Sequence, residues 1–533
     1  MTTTAKAKAE VKEQGYDEIP YHGYPFEYNK PENLKTIGAL FGIDAPKLET
    51  ARVLELGCSD GGNLLRFAEA YPKSYTLGVD LSKVEINNGQ KVLDELKLKN
   101  VELKAMSITD LDESYGKFDY IICHGVFSWV PDFVKDSILE VSKKLLNENG
   151  LAFISYNTLP GWNMINSVRE LMVYHSENFG NVHDKITQSR AVLNFIQESL
   201  DSQNTPHAQF MQFSAQNMAK KEDHYLRHEY LAEENKAFYF NEFIEQARAN
   251  GLEYVGDTDV QRMYIGNLPK QAMEKLGTIK DIVRTEQYMD FINNTQFRCT
   301  VLTHKESKIS RDITDKTIQK FYYTCNINLL EDSINIEDDS KASFYIDNNK
   351  ERTISTSSPE MKAVLYTLSK NIGNPLSVEE LIKEANLLVP KASKEVIKQN
   401  IFANFASLIF SGSIKYLVEK PTSIYKISNK PKISKLAMHQ IQSPKHNGIY
   451  WITNSMNQIM TIQAHLVSIV QCIDGTNTLE QLKEKAFADL KSGKISANEN
   501  DQKITDEAKL KIIADKLVDQ TLEMLKTGYC LVA

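Results

Sequence analysis

This sequence has little that would bind metal, cross a membrane or grip nucleic acid. Its cysteines fall at positions 58, 123, 299, 325, 472 and 530, with no Cys-x-x-Cys pair and no histidine cluster. That spacing gives no metal site and predicts free thiols in a reducing compartment. No run of 18 apolar residues occurs, so no membrane span is expected. Residues 1–14 are polar, mixing lysine with glutamate, and lack the apolar segment of a secretory signal; the expected location is the cytoplasm. Long basic runs are missing too. The net charge of −8 (62 basic against 70 acidic residues) disfavours nucleic acid, whose binding rests on clustered positive surface, and would draw a basic substrate instead. A chain of 533 residues exceeds one core and predicts three or four domains.

The strongest positive signal is Arg52-Val53-Leu54-Glu55-Leu56-Gly57-Cys58-Ser59-Asp60-Gly61-Gly62-Asn63, a buried strand running into a glycine-rich turn and a helix. A second hydrophobic strand, Tyr75 to Val79, ends in Asp80, an acid placed to accept ribose hydroxyls. The turn lacks the Gly-x-Gly-x-x-Gly spacing of a dinucleotide site and the Gly-Lys-Ser/Thr of a phosphate-binding loop. Glu55 and Asp60 would repel a phosphate and suit a cationic ligand carrying an adenosine, which is the charge pattern of S-adenosylmethionine. Glu55-Leu56-Gly57-Cys58-Ser59-Asp60-Gly61 resembles the first motif of the class I methyltransferases, acidic-x-Gly-x-Gly-x-Gly, with Ser59 in place of the middle glycine. A serine is tolerable there if it keeps a negative φ.

Three further strand ends agree. Leu103 to Asp110 resembles the segment that meets adenine, through the Ile108 backbone or Asp110. Phe118 to Cys123 opens onto His124-Gly125 and a loop holding Trp129. Leu151 to Asn157 is the fifth strand, and right-handed crossovers would join these parallel strands. The expected fold is therefore α/β, a Rossmann-like class I methyltransferase sheet. The methyltransferase domain is expected over 51–162 and 238–305, behind an N-terminal segment, 1–50, that packs on the active site. A helical insertion interrupts it at 163–237, and its many apolar positions need a partner surface, which predicts dimerisation with a lid role. An α+β middle, regulatory domain is expected over 306–430 and a winged-helix-like C-terminal domain over 431–533. The middle unit also reads as winged-helix-like, but Lys394 to Phe405 has too few basic residues to read DNA.

Tyr16 to Tyr21, Tyr156 to Trp162 and His228-Glu229-Tyr230-Leu231 carry the likeness beyond a generic methyltransferase. Over essentially its full length the chain resembles the rickettsial protein lysine methyltransferases that modify an outer-membrane surface protein, outer membrane protein B. The resemblance implies a homodimer around an open cavity that admits protein segments. It also implies lysine as methyl acceptor, S-adenosylmethionine as cofactor and S-adenosylhomocysteine as product, and a trimethylating branch.

Methyl transfer to an amine needs alignment and removal of a proton from a group of pKa about 10.4. Aromatic rings bind a cationic amine and still hold its methylated product. Trp129, Tyr156 and, if the N-terminal segment folds over, Tyr16 and Tyr21 are the candidates, with Asn157 as an amine acceptor. His124 is placed to orient cofactor or substrate, and His228-Glu229 to line the cavity. The cofactor set is Glu55, Gly57, Cys58, Ser59, Gly61 and Asn63 at the amino-acid end, Asp80 and Leu81 at the ribose, and Ile108 and Asp110 at the adenine. The residues alone also allow a small-molecule methyltransferase or a non-catalytic sensor of the cofactor.

Overall fold

The computed structural model describes residues 23–533 other than 233, 445–447 and 500–501. Tyr16 and Tyr21 lie outside the described residues.

Strands β1 (Arg52–Leu56), β2 (Tyr75–Asp80), β3 (Val101–Ala105), β4 (Phe118–Cys123), β5 (Leu146–Asn157), β6 (Leu252–Asp257) and β7 (Phe297–His304) form one sheet in the order β3-β2-β1-β4-β5-β7-β6. β1 to β5 run parallel, and β7 slots antiparallel between β5 and β6. The order reverses beside β1, and ligands of open α/β sheets bind outside the carboxyl ends of strands at such a switch point. Both faces of β1 and β4 are buried, so their sequences are mostly apolar without alternation, and the charged Glu55 and Asp119 stand out among them.

Helix α1 (Pro31–Leu40) packs on one face, while α2 (Gly62–Ala70) and α3 (Lys83–Leu96) follow β1 and β2. Gly61 starts α2 from a left-handed conformation at φ 77°, where an added Cβ would lie 2.9 Å from Leu103. The Ser82 hydroxyl caps α3 by accepting the Glu85 amide at 3.2 Å. Helix α4 (Asp132–Leu145) covers the other face with α8 (Phe240–Ala249). Between β5 and α8 stand α5 (Trp162–Ser176), α6 (Val182–Leu200) and α7 (Pro206–Ala219), with an apolar core of their own around Val168, Met172, Leu193 and Ala215. Helix α9 (Ile282–Asn293) then leads to β7.

After β7, strands β8 (Tyr322–Thr324), β9 (Ile327–Leu329), β10 (Ala342–Ile346) and β11 (Asn349–Thr356) precede α10 (Pro359–Lys370). Then come β12 (Leu376–Ser377), α11 (Val378–Leu388), α12 (Lys394–Phe410) and β13 (Lys415–Leu417), with a small sheet ordered β12-β8-β13. Helix α12 spends Ile397, Ile401, Phe405 and Ile409 on the core, so the segment that a DNA-reading helix would occupy is a packing element. This core is continuous with the α1 side of the main sheet through Leu34, Ile37 and Leu40. The last unit has a separate core and comprises α13 (Lys435–Gln440), the hairpin β14 (Tyr450–Thr453) and β15 (Ile459–Ile462), α14 (Leu479–Ser492) and α15 (Glu507–Thr527). None of the described helices is long and apolar enough to cross a membrane.

Candidate active site

The turn after β1 gathers three acids. Glu55 is 4% exposed, and its Oε1 accepts from Asn63 Nδ2 at 2.8 Å. Its Oε2 is buried with no hydrogen-bond partner among the described residues. Burial, with lesser repulsion from Asp60 and Asp80, pushes its pKa up to about 8 despite the Asn63 bond. Asp80 fastens the turn: Oδ2 accepts the Ser59 amide and Oδ1 the Ser82 amide, both at 2.9 Å. Ser59 stands at φ +51°, so the expectation of a negative φ is corrected. The bond from its amide to the Asp80 carboxylate holds the residue in a region that costs an L-residue about 1–2 kcal/mol.

The Gly57 and Cys58 amides both donate to Val79 O, and the Cys58 side chain is buried among Leu65, Ile86 and Leu103. Any contact from Cys58 to a ligand is therefore through backbone. Leu81 is half-buried beyond β2; Ile108 is buried and Asp110 exposed in the turn after β3. An unpaired buried carboxylate oxygen amid surplus negative charge fits the sulfonium and ammonium charges of S-adenosylmethionine, so the residues present suit that cofactor.

The register sets the second half of the site. Leu56 pairs with Cys123 and Cys123 with Ile154, which brings His124 and Ser155 beside the β1 turn. His124 Nδ1 lies 2.9 Å from Ser155 Oγ and its Nε2 2.9 Å from the Tyr28 hydroxyl. Burial lowers the imidazole to about 4, so at neutral pH it is an uncharged link in a Tyr28–His124–Ser155 chain. Phe26 packs edge-on against the imidazole at 4.3 Å and Phe297 at 6.1 Å. Tyr28 and Phe297 continue into an approximately 520 Å³ cavity walled also by Asp257, Lys415 and Tyr416, from the last strands and the middle unit.

Tyr156 is not part of this wall. It is 1% exposed, stacks on Phe243 at 4.0 Å and bonds Thr300, because strand alternation turns it into the α8 face while Ser155 turns toward His124. Its expected role at the strand edge is corrected on that ground. Trp129 is buried edge-to-face on Trp162 at 5.9 Å, where the β4 loop meets the insertion. Asn157 is buried too; its amide donates to Ser128 Oγ, and its side-chain Nδ2 has no partner among the described residues. His228 and Glu229 lie in a π-helical turn, Leu226–Tyr230, and burial raises Glu229 to about 7.

Sequence reasoning missed Phe26, Tyr28 and Ser155. The aromatic run Tyr24-Pro25-Phe26-Glu27-Tyr28, which begins three residues after Tyr21, was the available signal. Residues 23–28 cross the cofactor turn: a Cβ at Gly23 would lie 2.0 Å from Asp60 Oδ1, and the Phe26 amide donates to Asn63 Oδ1 at 3.0 Å.

Family descriptions match the chain in three segments. "Methyltransferase domain" covers residues 47–228, "Predicted methyltransferase regulatory domain" covers 222–304, and "PKMT, C-terminal winged helix domain" covers 429–529. The regulatory description thus falls on the segment that completes the sheet. An uncharacterized protein of Rickettsia prowazekii is 41% identical over 97% of this chain and 93% of its own length. PKMT2 from Rickettsia typhi is 44% identical with a TM-score of 0.89, covering 96% of this chain and 100% of that one. The structure of PKMT2 in complex with AdoHcy gives 45% and 0.88, with the same coverage of 96% and 100%. With likeness of this extent in both sequence and fold, the chain belongs to the PKMT family of methyltransferases.

Proposed function

We propose that this methyltransferase moves methyl groups from S-adenosylmethionine to lysine ε-amines of a protein, with an outer-membrane surface protein as substrate and up to three additions per lysine. The observation that carries the reading is likeness to PKMT2 across 96% of the chain, including the middle and C-terminal units that a minimal methyltransferase does not need. PKMT2 was solved with AdoHcy, the product that methyl transfer leaves.

Bound S-adenosylmethionine supplies an electrophilic methyl group on a sulfonium. Glu55 and Asn63 would hold its amino-acid end, with Gly57, Cys58, Ser59 and Gly61 shaping the turn, Asp80 and Leu81 serving the ribose, and Ile108 and Asp110 the adenine. Tyr28, ordered by neutral His124, presents an oxygen at the cavity wall that can accept a hydrogen bond from an approaching amine. Phe26, Tyr28 and Phe297 give that amine an aromatic surface suited to a cation before and after methylation. Trp129, Asn157, His228 and Glu229 stand farther out, at the junction with the insertion. Alignment in a walled cavity is the main contribution asked of the protein.

The insertion, 163–237, would form a homodimer interface: Tyr174, Phe195 and Phe213 on α5, α6 and α7 are 75%, 61% and 67% exposed, which is unusual for large apolar side chains. Residues 306–430 would serve as the regulatory unit, and the enzyme would act in the cytoplasm before its substrate is exported. The test is peptide mass spectrometry of outer-membrane protein fragments incubated with enzyme and S-adenosylmethionine. Gains of one to three methyl units on lysine are expected. Stoichiometric cofactor binding without any lysine gain would refute the assignment.

A further inference from the structure

The C-terminal unit reaches into the cofactor site through the tip of its β14–β15 hairpin. The turn Asn454-Ser455-Met456-Asn457-Gln458 is self-braced: Asn454 Oδ1 accepts the Met456 and Gln458 amides, both at 2.9 Å. Asn457 sits at φ +56°, a left-handed position that asparagine tolerates, and is 3% exposed. Its Nδ2 donates to Asn63 Oδ1 at 3.0 Å and to the Phe26 carbonyl at 3.3 Å. Asn63 Oδ1 also accepts the Phe26 amide at 3.0 Å, and a backbone amide can only donate, so the orientation of that carboxamide is set. The Asn63 Nδ2 is thereby turned to donate to Glu55 Oε1 at 2.8 Å and to Asn29 Oδ1 at 3.1 Å. Gln458 Nε2 donates to Glu27 Oε2 at 2.5 Å, and Arg66 of α2 donates to Thr422 and Ser455 at 2.8 and 2.9 Å.

We propose that the hairpin tip of the C-terminal unit is a working part of the cofactor site. Asn457 is a positioning residue that holds Asn63 in register with Glu55 and clasps residues 26–28 over the turn. Docking of the C-terminal unit and cofactor affinity are therefore linked, and each favours the other. The proposal rests on the reading that Glu55 and Asn63 hold the cofactor.

The contacts that Asn457 makes to Asn63 and Phe26 are buried, so an alanine at 457 leaves Asn63 with one donor fewer and frees the segment that covers it. Glu55 is faced by Asp60 and Asp80, by Asn63, and by the thiols of Cys58 and Cys123, which burial keeps neutral. Loosening Asn63 removes the one interaction in that set that favours the carboxylate, so the pH at which cofactor affinity levels off moves upward.

The test is calorimetric titration of full-length protein with S-adenosylmethionine from pH 6.5 to 9, using Asn457→Ala, Asn63→Ala, the double variant and Thr422→Ala. Asn457→Ala is expected to weaken binding about ten-fold, consistent with a lost buried hydrogen bond and its neighbour. The double variant is expected to bind within about two-fold of Asn63→Ala, because the effect runs through Asn63. Thr422→Ala, which removes one bond to Arg66 and touches neither Asn63 nor Asn457, is expected to leave affinity unchanged with the fold intact by circular dichroism. Full additivity of the two losses, or an equal loss in Thr422→Ala, overturns the positioning role. Weakened binding in Asn63→Ala beside wild-type binding in Asn457→Ala overturns it while leaving the cofactor site standing. Wild-type binding in Asn63→Ala overturns both.

Discussion

Glu55→Gln should change stability and cofactor affinity in opposite directions. In the cofactor-free protein burial holds Glu55 at about 8 against an ordinary 4.5. The folded chain then keeps a proton that the unfolded chain has released. The contribution of this group to stability is intact below pH 4.5, erodes as pH rises toward 8, and is lost above it. The separation of the two values corresponds to on the order of 5 kcal/mol once Glu55 is fully ionised. Glutamine keeps the shape and cannot ionise, so the cofactor-free variant should melt higher than wild type at pH 8.5 and equally at pH 4.5. At pH 7 only about one wild-type molecule in ten carries the ionised carboxylate, and binding a cation must expel the proton from the others. Titrations at pH 7 in buffers of different ionisation enthalpy should show about 0.9 more protons released by wild type than by Glu55→Gln. The variant should bind S-adenosylmethionine about 12- to 150-fold more weakly above pH 8, the worth of one charged hydrogen bond. Equal proton release by the two proteins would falsify the idea that Glu55 receives the cationic end of the cofactor.

Asp80→Ala removes the acceptor of the Ser59 and Ser82 amides as well as the proposed ribose partner, and should weaken the cofactor by at least about 100-fold in calorimetry; a loss under about three-fold would count against the ribose assignment. Tyr28→Phe should lower kcat about ten-fold or more and leave the KM for S-adenosylmethionine unchanged, since it removes a hydroxyl from the acceptor side. A change confined to the cofactor KM would place Tyr28 elsewhere in the chemistry. Phe195→Asp with Phe213→Asp should leave a monomer in light scattering where the proposed interface predicts a wild-type dimer, without lowering the melting temperature, because both rings are more than half exposed in the isolated chain. A dimer that survives both changes would move the interface off the insertion.

The parts of the fold that were legible are the locally encoded ones. β1, β2 and β4 are short, mostly apolar strands and β5 carries the apolar run from Leu151 to Ile154; they stop at Gly57, Asp80, His124 and Asn157, and that punctuation needs no tertiary information. The long gap before β6 and β7 pointed to the insertion because Gly161 to Ala237 has helical rather than alternating periodicity. Tyr156 failed for a related reason. β5 is buried on both faces, so its sequence carries no alternation that would say whether Tyr156 or Ser155 turns toward His124. Ser59 failed because its φ is decided by Asp80, 21 residues away, and not by its own propensity.

What the sequence hid most completely arrives from far along the chain. Tyr28 meets His124 across 96 residues and Asn457 meets Asn63 across 394, and neither carries a motif, since each acts through ordinary side-chain hydrogen bonds that many residue types supply in other proteins. Their neighbours explain why they converge. The Gly57, Cys58, Ser59 and Gly61 amides of the glycine turn donate to Val79, Asp80 and Cys58, so none of these four orients Asn63. An exposed Asn63 would trade its bonds with water and let Glu55 stay solvated and ionised. Covering it with residues 23–28 and the hairpin tip removes that water, raises the cost of the Glu55 charge, and leaves the charge to be stabilised by a cationic cofactor. The distant units therefore shape the electrostatics of the same turn that the first motif encodes, which is why truncation to the methyltransferase segment alone should yield a protein whose affinity for S-adenosylmethionine is lower and less dependent on pH.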